Sequence, residues 1–452
     1  MPSKLETNKN KLFLKSLITT KSLVDTNNVQ EWIKDRNKSV SVSVKQIPLK
    51  SLSEWKIDKS FSKIYHKSKH FFSIKGLDIK TNYGGDRGWH QPIIDQPEVG
   101  ILGFLTKEFN GILYFLVQAK IEPGNINSVQ ISPTLQATKS NYTQKHKGLS
   151  PKYLDYFLNV NKSQILYNQL QSEQGARFYK KQNRNIIIKT EDEIDVQEEF
   201  MWLNLAQIKQ LSLFNNVINM DTRTVVSCIN YKNTNDKYLT SLNDAQNTMD
   251  DIMNWVNSMK NFFFLDRKII PLKELSEWDV NENEIKRFDN KYFRVVGADI
   301  KIENREVKNW QQPLIKPETK GLIVLFMKKI NNQKHYLINA KVECGHSDII
   351  ELGPSLSSSN IQNIKDKKDD TLFDIVNKKK YLSVEFDTLQ SEEGGRFYNE
   401  ENRNMLIEVD KDFNYDHKCY KWVTLNQLLY LLNYSNFINI QLRSLISLIN
   451  ET

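Results

Sequence analysis

Only three cysteines occur among 452 residues, and Cys228, Cys344 and Cys419 stand far apart with no CxxC spacing. That scarcity argues against a disulfide framework or a zinc site and leaves free thiols as the expectation. No apolar run approaches the roughly 20 residues that span a bilayer. The opening residues, MPSKLETNKN, carry neither an apolar h-region nor a small-residue cleavage site, so a cytoplasmic protein without a membrane partner is expected. There is no GxGxxG after a strand, no Walker A loop, no GxSxG elbow and no HExxH helix. Chemistry would then fall to Lys, Glu, Tyr, His and Arg, with no cofactor and no metal.

What is present is globular in composition, with 39% hydrophobic and 11% aromatic residues. The net charge of +9 comes from lysines spread among Asn and Ile. This pattern does not form a nucleic-acid stripe, although it suits an anionic ligand.

One polar phrase appears twice. LQSEQGARFYKKQNRN begins at Leu170 and LQSEEGGRFYNEENRN at Leu389. The repeat extends outward: IPLKSLSEW ending at Trp55 returns ending at Trp278, WHQPIIDQP from Trp89 returns as WQQPLIKPE from Trp310, and VQAKIEPG from Val117 returns as INAKVECG from Ile338. Offsets stay between 219 and 223 residues, the mark of a tandem duplication. Residues 1–27 read as an extension, 28–232 as copy one, 233–250 as a linker leading into a connecting helix, and 251–452 as copy two. Met249, Ile252, Met253, Val256 and Met259 recur at helical spacing there, a packing stripe. Strand-like alternation in ILYFLVQAKIE and short apolar runs in NRNIIIKT and NRNMLIEV mix with helix-like WLNLAQIKQLSLF and DTRTVVSCINY. The class is α+β with mixed sheets and flanking helices.

Lys120 and Glu122 stand two apart on one face of a strand, as do Lys341 and Glu343. A polar cavity and an exposed ion pair both fit that spacing. The repeated phrase places Gln171, Ser172, Glu173, Arg177 and Arg184 between two strands, with Gly175 able to take a positive φ. It reads either as a ligand loop or as a salt-bridged turn. The polar stretch 132–146 holds Lys139, Ser140, Asn141, Tyr142 and His146, suited to phosphate or carbonyl contacts or to a solvated loop. In NMDTR, Asp221 is placed to cap a helix whose first turn carries Arg223.

Together WHQPIIDQPEVGILGF, VQAKIEPGN, SPTLQATKSNY, LQSEQGARF, NRN and NMDTR, with LQSEEGGRFY in copy two, resemble the NDP-hexose 2,3-dehydratases of deoxysugar biosynthesis over nearly the whole chain. The resemblance implies a homodimer of subunits with two Nudix-like domains, although the Nudix hydrolase signature is in neither copy. It also implies a dTDP-4-keto-6-deoxyhexose substrate and coupling to a 3-ketoreductase. Lys120, Glu122, Tyr142, His146 and Glu173 become the catalytic candidates. Trp89, Gln91, Lys139, Ser140, Asn141, Gln171, Arg177, Arg184, Asp221, Thr222 and Arg223 become candidate substrate contacts. Copy two keeps Trp310, Lys341, Glu343, Glu392, Arg396, Arg403 and Arg443, but SPTLQATKSNY has become GPSLSSSNIQN and NMDTR has become NIQLR. Copy one is therefore expected to hold the working site and copy two a degenerate pocket. A sugar-nucleotide pyrophosphatase and a non-catalytic nucleotide-binding module are the competing readings.

Overall fold

The computed structural model describes residues 4–58, 60–139, 150–232, 245–303, 307–359 and 371–451. The candidates Ser140, Asn141, Tyr142 and His146 lie outside the described residues. In copy one the alternating segment forms the strand Ile112–Ile121, paired antiparallel with Gly100–Phe109 and Phe200–Asn204. Gln182–Lys189 runs parallel to Gly100–Phe109, and Ile165–Ser172 closes that side antiparallel. Two short strands, Val129–Ser132 and Leu135–Ala137, complete a seven-stranded mixed sheet. Copy two repeats the order with Gly321–Ile330, Gln333–Lys341, Tyr420–Thr424, Glu401–Glu408 and Ser383–Ser391. The α+β class is as the sequence implied.

Some boundaries differ from expectation. Trp202 ends up in a strand, and the helix runs only Leu205–Ser212, because the Asn204 side chain accepts the Gln207 N–H and starts it there. The helix of the NMDTR phrase, Met220–Ser227, is capped by Asn219, whose side chain accepts the Thr222 N–H, so Asp221 is not the cap. The connecting helix forms over Met249–Phe262, with Met249, Ile252, Val256 and Met259 buried. Phe13 and Leu17 of the helix Lys4–Ile18 enter the core beside Leu113 and Phe115.

Periodicity could not reveal that the copies exchange strands. Val42–Ile47 pairs antiparallel with Phe293–Ile302 of copy two, from Val42↔Ile302 to Ile47↔Gly297. Reciprocally, Leu265–Ile270 of copy two pairs with Ser73–Thr81, from Leu265↔Thr81 to Ile270↔Gly76. The phrase after each exchanged strand follows it across: Trp55 Nε1 donates to Gln311 O and Trp278 Nε1 to His90 O, each at 2.7 Å. Pairing each exchanged strand covers a sheet edge that would otherwise expose its N–H and C=O groups.

A second seam lies deeper. The helices Met220–Ser227 and Ile440–Leu448 pack together, and each carries an arginine 1% exposed. Arg223 donates to Ser444 Oγ (2.8 Å), Ile218 O (2.6 Å), Gln390 Oε1 (3.0 Å) and Ser391 O (2.6 Å). Arg443 mirrors it, donating to Thr224 Oγ1 (2.8 Å), Ile438 O (2.5 Å) and Ser172 O. Each arginine thus binds the repeated LQSE phrase in one direction only, across the copies. This explains why Ser and Arg recur together.

Candidate active site

A cavity of about 1020 Å³ lies against the seven-stranded sheet of copy one, at the upper end of the range for ligand sites, about 300–1,000 Å³. Lys120 and Glu122 line it from the end of the strand Ile112–Ile121, and Glu173 from the residue after Ile165–Ser172. Asp221 enters from the first turn of its helix. Copy two supplies Trp310, Gln312, Glu393 and Arg396 to the same walls. Two copies of one sentence therefore build one cavity.

The acids are held without being neutralised. Glu122 Oε1 accepts from Gln136 Nε2 at 2.6 Å, and Glu173 Oε1 from Asn183 Nδ2 at 2.5 Å. The other oxygen of each, Oε2 in both, is buried with no hydrogen-bond partner among the described residues. A buried carboxylate oxygen without a partner is costly unless a ligand or solvent meets it. Lys181, 5% exposed, directs its Nζ to Glu98 O at 2.5 Å rather than to a carboxylate.

Burial and crowding shift the protonation of Asp221, Glu393 and Glu173. Burial, with Glu122, Glu173 and Glu393 nearby, pushes Asp221 well above the ordinary carboxylate range. Burial pushes Glu393 up to about 8, opposed by Arg396 and Lys181 and assisted by Glu173 and Glu122. Glu173 is raised by burial against the pull of Lys181 and Arg443, and burial lowers Lys181. Such a cluster can hold and pass protons near neutral pH.

The Arg396 guanidinium stacks 4.3 Å from the Phe72 ring centroid and donates to Gly395 O at 2.9 Å. Trp310 Nε1 donates to Gln312 Oε1 at 3.0 Å, and Gln312 Nε2 to Gly395 O at 2.7 Å. The WxQ unit thus braces the turn that presents Glu393 and Arg396.

Packing between the copies redistributes the other candidates. Trp89 and Gln91 brace the opposite turn, through Gln91 Nε2 to Ala176 O at 2.9 Å, and do not line this cavity. Trp310 and Arg396, expected in the second pocket, line the first. Arg177 stacks 4.2 Å from the Phe293 centroid, away from the cavity lining. Gln171 is buried against Tyr167 Oη and Leu432 O, and Thr222 Oγ1 donates to Ile131 O. Arg223 and Arg443 are consumed by the seam between the helices, so neither reaches an anion. Arg184 donates to Asn168 Oδ1 and Phe157 O, and Arg403 pairs with Asp387 at the surface. Lys139 is exposed and does not line the cavity. Gly175 does not take a positive φ; the positive-φ glycines among the described residues are Gly84, Gly85 and Gly111. Its need is space, since a Cβ there would meet His346 Cδ2 at 2.3 Å.

In copy two the matching acids are paired, although Glu343 Oε2 too is buried without a hydrogen bond among the described residues. Glu343 pairs with Lys341 at 2.9 Å and with His346 at 3.1 Å, which hold it well below the carboxylate range despite burial. Glu392 accepts from Gln174 and Asn402. Asp221 is answered by Gln441, and Glu393 by Gln174.

Gln136, Lys181, Asn183 and Glu393 were not singled out from sequence. Glu393 had a signal: it is an acid where the otherwise retained phrase of copy one has Gln174.

A family model described as NDP-hexose 2,3-dehydratase matches residues 26–229 and 249–449. A dTDP-4-dehydro-6-deoxy-alpha-D-glucopyranose 2,3-dehydratase of Saccharopolyspora spinosa is 38% identical over 98% of this chain and 95% of its own. Proteins of the same name from Amycolatopsis orientalis and Streptomyces violaceoruber are each 36% identical, over 94% of this chain and 90% and 97% of theirs. With both copies matched and such relatives aligned nearly end to end, the chain belongs to the NDP-hexose 2,3-dehydratase family.

Proposed function

We propose that this chain is a hydro-lyase that removes the C2 hydroxyl of a dTDP-4-keto-6-deoxyhexose, leaving a 3,4-diketo-2,6-dideoxy sugar nucleotide. The observation that carries this reading is the first cavity, where Glu122 and Glu173 each keep a buried, unpartnered oxygen beside Lys120. The C4 ketone acidifies the hydrogen on C3. Glu173, whose affinity for protons burial has raised, takes that proton, and Lys120 steadies the oxyanion that grows at C4. Expulsion of the C2 hydroxyl as water forms the C2–C3 double bond and restores the C4 ketone. The resulting enol at C3 then takes a proton at C2 and becomes the second ketone.

Arg396 supplies the cation for the diphosphate, and Trp310 with Phe72 offers aromatic faces to base or sugar. The degenerate second pocket, assembly as a homodimer, a cytoplasmic location and a 3-ketoreductase that consumes the labile product belong to the same proposal, as do the copy boundaries 28–232 and 251–452. The test is incubation of the purified chain with the keto sugar nucleotide in chelator, with and without a trapping reductase, followed by NMR and mass spectrometry. Loss of water with the diphosphate intact is expected. Release of a nucleoside monophosphate, or recovery only with Mg²⁺, would refute the reading.

A further inference from the structure

We infer that Glu393, delivered from copy two into the cavity of copy one, is the acid that protonates the departing C2 hydroxyl. The inference rests on the dehydratase reading above and adds to it a residue from the other copy. Three observations place Glu393 for the task.

The first is position. Glu393 lies in the turn braced by Trp310 and Gln312, and it lines the cavity together with Lys120 and Glu122, the turn resting on copy one through Gly124 N–H to Gly394 O at 2.7 Å. A methyl group in place of the Gly395 hydrogen would meet Glu393 Oε1 at 2.6 Å and Glu122 Oε1 at 3.6 Å, so both carboxyls reach toward one point. Copy one carries Ala176 at the matching place, where Gly395 leaves that space open.

The second is the absence of other work. Among the described residues no ion pair or side-chain hydrogen bond engages the Glu393 carboxyl, whereas its counterpart Gln174 is spent on Glu392. The third is charge. Glu122, Glu173 and Asp221 face Glu393 with Lys120, Lys181 and Arg396, and the crowding of acids together with burial favours the protonated form at neutral pH.

The step balances with the chain's own groups. After Glu173 has taken the C3 proton, the enolate pair forms the C2–C3 π bond as the C2–O bond breaks. The Glu393 hydroxyl proton goes to the leaving oxygen, so water departs and Glu393 remains as carboxylate. The enol O–H proton lost on tautomerisation and the proton gained at C2 cancel, and solvent returns the Glu393 proton as Glu173 releases its own.

The experiment follows the C3 hydrogen and the loss of water separately, by proton NMR in D₂O with the keto sugar nucleotide. In Glu393→Gln, C3 exchange with solvent should persist while elimination falls about 100-fold or more, the scale of a lost general acid. The fall in wild-type rate above about pH 8 should be missing from the residual activity. Glu393→Asp, which keeps a titrating acid on a shorter arm, should retain that alkaline fall at reduced kcat, and it decides the case if Glu393→Gln does not fold. Elimination within threefold of wild type, or joint loss of exchange and elimination in a folded variant that still binds nucleotide, would overturn the assignment. So would an Asp variant without the alkaline fall. Wild-type protein that exchanges C3 but never loses water overturns the dehydratase reading itself, and Glu393 as acid with it.

Discussion

Replacing Arg223 should destabilise the fold and leave nucleotide affinity largely intact. The side chain is 1% exposed and donates to Gln390 Oε1 and Ser391 O of the other copy, to Ile218 O and to Ser444 Oγ. Arg223→Met keeps much of the apolar stem and removes the charge. It strands two buried carbonyls and an amide oxygen, each worth about 1–3 kcal/mol when orphaned. Glu392 and Asp221, whose charges reach this guanidinium, lose a compensating cation. Partial rearrangement recovers some of this, so about 3–5 kcal/mol is expected, the usual cost of breaking a buried charged network. Entropies of about 2.1 cal/mol/K per residue over 452 residues convert this to a drop in Tm of about 3–5 °C if the chain melts as one unit. Arg443→Met should cost a similar amount, since its contacts mirror those of Arg223. The assay is thermal unfolding by circular dichroism beside calorimetric titration with dTDP. Wild-type melting combined with a tenfold or greater loss of dTDP affinity in Arg223→Met would refute the structural role and make this arginine a phosphate ligand.

Glu173→Gln should fold normally and lose about 10² to 10⁴-fold in turnover, while Glu392→Gln stays near wild type, because Glu392 already spends both oxygens on Gln174 and Asn402; steady-state kinetics on both decide it. Arg396→Ala should weaken dTDP binding about tenfold or more by calorimetry, whereas Arg177→Ala, stacked on Phe293 outside this cavity, should leave the affinity within threefold. Gly395→Ala should displace the Glu393 carboxyl from the 2.6 Å approach and reduce kcat about tenfold with Tm within about 1 °C. Because the folded-state pKa of Glu393 is raised to about 8, the folded protein binds more protons than the unfolded chain between about pH 4.5 and 8. Its contribution is present below the unfolded pKa and lost as pH rises through about 8. Tm measured across that window should therefore fall less steeply in Glu393→Gln.

Tandem duplication, the α+β class and the family were legible in the sequence because they rest on order. A dense polar repeat at constant offset, with period-2 alternation in 112–121, needs no knowledge of what packs on what. Lys120 and Glu122 could be placed side by side because strand geometry fixes two-residue spacing, whereas the nearness of Glu173 to them was not legible. The partner of a strand is not local information. Val42–Ile47 has the same backbone whether it pairs within its own copy or with Phe293–Ile302, and only packing of the whole chain sent it across. Packing of the two copies on each other, with Gly124 N–H donating to Gly394 O at 2.7 Å, decided that Trp310, Arg396 and Glu393 rather than Trp89, Arg177 and Gln174 serve the cavity of copy one. It likewise decided the fate of Arg223, whose place in a helical first turn suited an anion until a second helix covered it and supplied carbonyl oxygens instead.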